Sequence, residues 1–91
     1  MNWKEQFPTL NNDPTLAYFD SAASTQTHQS VLDRMNKYYE HQRCNVNRGD
    51  FRISKDTSEE LEVARQSVAD LIDATPEQIM FTAGATEGLN I

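Results

Sequence analysis

The stretch Gln78-Ile79-Met80-Phe81-Thr82-Ala83-Gly84-Ala85-Thr86-Glu87-Gly88-Leu89-Asn90 decides how the chain is read. Its first five residues put Ile79 and Phe81 two apart, the spacing of one buried face of a short strand. Small residues and two glycines follow, where a new helix begins. A strand that turns through small residues into a helix makes an anion cup. The first amides of a helix lack internal acceptors, its dipole is positive there, and small side chains let a phosphate come close. Gly84, Ala85 and Thr86 are therefore candidate anion ligands, with the threonine hydroxyl assisting the amides. On pattern alone, an ordinary capped turn explains the same residues.

Working back from that stretch, Ala74-Thr75-Pro76-Glu77 is a stop, and Thr57-Ser58-Glu59-Glu60 has the form of a capping box. A helix is expected over 57–73. Leu61, Ala64, Val68, Leu71 and Ile72 would share its buried face, with Glu59, Glu62, Arg65, Gln66 and Asp70 largely on others. Helix, proline turn and strand together imply an α/β layer. Further upstream, Val31, Leu32, Met35, Tyr38 and Tyr39 recur at helical spacing, so a helix is expected over about 28–42, capped by Thr27 or Ser30. Leu16-Ala17-Tyr18-Phe19 reads as one short strand leading into a close-packed loop, Asp20 to Thr25. The opening Trp3 to Asn12 reads as an arm with one helical turn, punctuated by Pro8 and by Asn11-Asn12-Asp13-Pro14. Between the helices, Arg43 to Arg52 has no period, one glycine and three arginines, and reads as an irregular loop of the kind that carries function.

Composition narrows the possibilities. Hydrophobic residues are 37% of 91, and a chain of this length buries only about 60 to 65% of its unfolded surface, so the core is expected to be thin. Fourteen acids against eight scattered bases give a net charge of −6, which argues against nucleic acid as a partner. Cys44 is the single cysteine, so there is no disulfide framework, and no Cys or His pair has metal-ligand spacing. No apolar run approaches the ~20 residues of a membrane span, and the first residues lack the form of a signal peptide. A soluble cytoplasmic protein is expected, read as a single segment over 1–91.

Four stretches, in order and spacing, resemble the N-terminal region of the class V, pyridoxal-phosphate-dependent cysteine desulfurases, particularly the group serving iron–sulfur cluster assembly. They are Tyr18-Phe19-Asp20-Ser21-Ala22-Ala23, Met35-Asn36-Lys37-Tyr38-Tyr39-Glu40, Asn45-Val46-Asn47-Arg48-Gly49, and Phe81 to Asn90. The resemblance implies the type I fold of pyridoxal-phosphate transferases, an α/β parent of which this segment is mainly helical with one or two short strands. It implies that the turn at Gly84, Ala85 and Thr86 holds the cofactor phosphate. It also implies that Ala22 and Ala23 border the substrate pocket and that the loop carrying Asn47 lies beside it. Three positions depart from the family pattern: Asn47 stands where His is usual, Ala85 where a second Thr is usual, and Ala83 where Arg is usual. The lost imidazole removes a proton-transfer or orienting group, whereas Ala85 keeps its backbone amide for a phosphate.

The parent chemistry so implied is removal of sulfur from cysteine, leaving alanine and an enzyme persulfide. The family's cofactor lysine, its stacking ring, its pyridine acid and its sulfur-accepting cysteine all lie beyond the present residues, so this segment is expected to be inactive alone and no residue is assigned a catalytic role. Lys4, Lys37 and Lys55 read as solvated charges. Cys44 reads as an ordinary loop cysteine, and His28 and His41 as helix-end residues. The parent is expected to be a homodimer that hands sulfur to an acceptor protein, and its loss would leave apolar faces uncovered, favouring association or partial disorder. Two alternatives stand beside this reading: a helical binding module docking through the Leu61 to Ile72 face, and another class V enzyme such as a selenocysteine lyase or an aminotransferase.

Overall fold

The computed structural model describes residues 2–47 and 51–91, which form two compact units, Met1–Arg43 and Cys44–Ile91. In the first unit, the Asn2 side chain accepts from the Lys4 amide at 3.1 Å and opens a 3₁₀ turn, Trp3–Gln6. Helix α1, Pro8–Asn12, begins on Pro8, whose fixed φ and missing N–H suit a first helical position. The predicted arm is thus two short helical pieces. Lys4, expected to be a solvated charge, also makes specific bonds: its Nζ donates to the carbonyls of Pro14 at 2.8 Å and Leu16 at 2.9 Å, tying the arm to the turn that follows. In that turn the Asp13 carboxylate accepts from the Thr15 hydroxyl at 2.6 Å and amide at 3.1 Å. The hydroxyl bond, then the amide bond, holds the Asp13 carboxyl below its ordinary value.

Helix α2, Gln29–Lys37, is followed without a break by a wider π turn, Tyr38–Gln42, so the span predicted over 28–42 is helical from Gln29 onward. Its cap is neither Thr27 nor Ser30. His28 holds the cap position, its Nδ1 accepting from the Ser30 amide at 3.1 Å, and its ring meets Phe7 edge-on at 5.3 Å between centroids. The ring contact fixes the imidazole where a smaller capping side chain would have nothing to pack on. The Arg34 guanidinium donates to Gln42 Oε1 at 2.9 Å and so spans the π turn.

In the second unit, α3 runs from Arg52 to Leu71. It starts five residues ahead of the expected capping box, and Thr57 lies buried inside it rather than at its end. Packing sets this start: the extra turn lets the Ser54 hydroxyl reach the Asn45 carbonyl at 2.9 Å. The expected buried face is also different. Ser54, Thr57 and Ala69 are the buried residues of α3, while Leu71 is 84% exposed and Ala64, Val68 and Ile72 are exposed with it. Ala69 is the one buried hydrophobic residue among those described.

No strand occurs among the described residues. Leu16 to Phe19 and Ile79 to Thr82 are without helix or ladder, Phe19 is 94% exposed, and Ile79 and Phe81 are not buried as expected. Ile79 does have extended dihedrals, φ −104° and ψ 124°. Extended backbone becomes a strand only when a neighbour accepts its hydrogen bonds, and a lone segment has none. The total accessible surface, 7609 Å², makes the same point. A folded monomer of this mass exposes about 5400 Å², and two independent half-mass units would expose about 6500 Å². The surplus sits on apolar side chains such as Trp3, Phe19, Leu71 and Leu89.

Candidate functional site

The second unit positions the predicted anion turn through Arg65. A 3₁₀ turn, Pro76–Gln78, reverses the chain after α3, with the Thr75 amide donating to Gln78 Oε1 at 2.9 Å. Arg65, expected off the buried face of α3, reaches across to the returning chain. Its Nη1 donates to the Ile79 carbonyl at 2.7 Å, its Nε donates to Glu62 at 3.1 Å, and its guanidinium lies 5.1 Å from the Phe81 ring centroid. One side chain thereby fixes the extended segment that delivers Ala83 and Gly84. Nothing in the sequence marks Arg65 for this, because the contact exists only once the chain has turned back at Pro76.

Helix α4, Ala85–Asn90, then begins where it was expected, with Gly84 at its cap position. The Gly88 amide returns to the Gly84 carbonyl at 3.0 Å, which leaves the amides of Ala85, Thr86 and Glu87 at the open end of the helix. Thr82 Oγ1 donates to the Gly84 carbonyl at 3.1 Å and holds the turn closed. A Cβ built on Gly84 would meet nothing within 4 Å, so the backbone is open to approach from that side. Ala83, Gly84, Thr86, Glu87 and Asn90 line an open recess of about 560 Å³. One feature opposes an anion: the Glu87 carboxylate folds back and accepts from the Ala83 amide at 2.8 Å, using one donor and adding a negative charge at the rim.

Asn47 lies at a different recess, of about 460 Å³, lined also by Ser58, Glu59, Glu62, Val63 and Gln66. Its backbone is left-handed, φ 60°, which asparagine tolerates better than most residues. Its amide donates to Ser58 Oγ at 2.8 Å, while the Ser58 hydroxyl donates to the Ser54 carbonyl at 2.7 Å. Arg48 and Gly49, the rest of the predicted loop motif, and Asp50 of the same loop lie outside the described residues. The two recesses share no lining residue.

Ala22 and Ala23 belong to the first unit, in a turn closed by bonds from the Ala23 and Ser24 amides to the Asp20 carbonyl, at 3.1 and 3.0 Å. The Tyr18 hydroxyl donates to the Ser24 carbonyl and pins the turn, leaving both alanines exposed. Ser54, Ser58 and Arg65 were missed as site-shaping residues. The serines did leave a signal, since spacing of four puts them on one side of a helix just after a polar loop.

The chain belongs to the aminotransferase class-V family, whose model matches residues 17–91. Within that family it is similar to cysteine desulfurases. It is 41% identical to the cysteine desulfurase of Serratia proteamaculans over 97% of this chain and 23% of that protein. To the cysteine desulfurase SufS of Plasmodium falciparum it is 33% identical, over 99% of this chain and 17% of that one. The solved apo structure of the cysteine desulfurase from Thermococcus onnurineus superposes with a TM-score of 0.85 at 37% identity, covering 96% of this chain and 21% of that chain. The chain thus spans about a fifth of the length of the relatives it matches, and its fold is that of a part of a cysteine desulfurase. No helix among the described residues is long and apolar enough to cross a membrane.

Proposed function

We propose that this chain is the N-terminal, phosphate-holding part of a pyridoxal-phosphate-dependent cysteine desulfurase. The observation that carries the reading is the match of both sequence and fold to that group over nearly the whole chain. The turn at 83–86 is compatible with it. The open amides of Ala85 and Thr86, the Thr86 hydroxyl and the unobstructed side of Gly84 suit a phosphate, once Glu87 releases the Ala83 amide. Pyridoxal phosphate supplies an electron sink at the substrate's α-carbon. The residues of this chain bind and orient: Ala85 and Thr86 hold the phosphate, and Ala22, Ala23 and Asn47 border the substrate.

The overall reaction breaks the carbon–sulfur bond of cysteine and forms a sulfur–sulfur bond to a thiol of the enzyme. The two thiol hydrogens are shared out so that alanine gains one and the persulfide keeps the other. That thiol lies outside these residues, so the chain by itself is inactive. By the same resemblance, the working form is a cytoplasmic homodimer that passes sulfur to an acceptor protein for iron–sulfur clusters.

The test is a chimera in which this segment replaces the matched fifth of the Thermococcus onnurineus enzyme. A chimera that takes up pyridoxal phosphate and forms one alanine per persulfide from cysteine supports the reading. A folded, cofactor-loaded chimera that makes no alanine overturns it.

A further inference from the structure

The loop 45–47 is not held by its own sequence but by two serines of α3. Ser54 is 1% exposed, and its hydroxyl donates to the Asn45 carbonyl at 2.9 Å. One turn on, Ser58 donates its single proton to the Ser54 carbonyl at 2.7 Å, so its oxygen is left to accept the Asn47 amide at 2.8 Å. The direction of each bond is therefore fixed. Asn45 is caught by its carbonyl and Asn47 by its amide, and the chain between them has little freedom. Left-handed backbone costs a non-glycine residue free energy and persists only where its surroundings over-determine it. The Asn47 φ of 60° is over-determined in this way, with the residue set at the rim of the 460 Å³ recess.

We propose that Ser54 and Ser58 are positioning residues: they lock the backbone at Asn47 in its left-handed form and thereby aim the residue that borders the substrate. This rests on the reading of the 45–47 loop as a border of the cysteine pocket. The side chain at 47 is asparagine where the family usually has His, and the backbone at 47 sets where that side chain is aimed. Each serine hydroxyl reaches from α3 to the 45–47 backbone at hydrogen-bond distance, and threonine keeps the same donor and acceptor.

Two measurements test the proposal. In the 91-residue chain, the strong intraresidue Hα to amide cross-peak of positive φ at Asn47 should vanish in Ser58→Ala, and its amide exchange should speed up at least tenfold. Ser58→Thr should restore both. An unchanged cross-peak and exchange rate in Ser58→Ala overturns the lock. In the cofactor-loaded chimera, Ser58→Ala should raise KM for cysteine about as much as Asn47→Gly does, with kcat changed less than twofold and with rescue by Ser58→Thr. If Asn47→Gly raises KM while Ser58→Ala and Ser54→Ala do not, the positioning role fails and the pocket reading stands. If none of them alters KM, the pocket reading fails, and the positioning role with it. Ser54→Ala is the second variant, judged only where its circular dichroism matches that of the parent.

Discussion

Arg65→Ala should free the segment that carries the anion turn while leaving α3 intact. Three contacts are lost together. The hydrogen bond from a guanidinium to the Ile79 carbonyl at 2.7 Å is charge-assisted and contributes about 1.5 to 3 kcal/mol. The guanidinium 5.1 Å from the Phe81 centroid adds about 0.5 to 1 kcal/mol. The pair with Glu62 adds at most about 0.5 kcal/mol, because Glu62 is 58% exposed and screened. Arg65 itself retains 23% exposure, so the lower part of each range applies and the sum is about 2 to 3 kcal/mol. Local opening at 76–82 should therefore become roughly 30- to 150-fold more frequent. Amide exchange reads this directly at Gln78 and Ile79, whose amides are bonded to the carbonyls of Thr75 at 2.9 Å and Pro76 at 3.1 Å. Exchange at the centre of α3 should not change. Arg65→Lys keeps one charged donor but loses the fork, and should fall between. An Arg65→Ala chain whose Gln78 and Ile79 amides exchange within about threefold of the parent, a difference of ~0.6 kcal/mol, would refute the argument.

Further outcomes follow from other contacts. Lys4→Met removes the bonds to the Pro14 and Leu16 carbonyls, and should loosen the first unit by about 1 to 2 kcal/mol, seen as faster proteolysis near residue 15. The Asp13 carboxyl is held below its usual 3.8, so its contribution is fully present above that value and is lost as the pH falls through the lower folded value; Asp13→Asn should abolish that acid-side dependence in a pH titration of unfolding. Gly84→Ala adds a Cβ into open space, with φ 169° being ordinary extended backbone, so the fold should change by less than about 0.5 kcal/mol while binding of pyridoxal phosphate weakens in the chimera. The isolated chain should bind a hydrophobic dye and self-associate with rising concentration in sedimentation, given its surplus apolar surface.

The helices were legible because their evidence is local. Apolar spacing from Val31 to Tyr39 located the helical span 28–42, and the run from Leu61 to Ile72 located most of α3, since each residue's neighbours at three and four positions are fixed by helix geometry alone. The start of α4 after Gly84 was legible for the same reason, because small residues and the need to free the first amides are properties of a few consecutive residues. The family itself could be recognised from four short stretches. Which helix face is buried was not legible. Leu71 and Ile72 carry the pattern of a core, but a pattern records what a residue is suited to pack against, and both stay mostly exposed, at 84% and 61%. The same holds for Ile79 and Phe81, whose strand character needs a neighbouring strand's carbonyls.

By itself, then, the sequence determined the helical periods, the turn at 83–86 and the kinship with class V enzymes. Tertiary structure decided the rest. It made Arg65 the anchor of the segment leading into the turn at 83–86, Lys4 the tie of the arm, His28 a helix cap, and Ser54 and Ser58 the hydrogen-bond partners of the 45–47 backbone. Each of these is a directional bond between residues brought together by chain reversal, and a donor's partner is set by geometry that no local pattern of residue types contains.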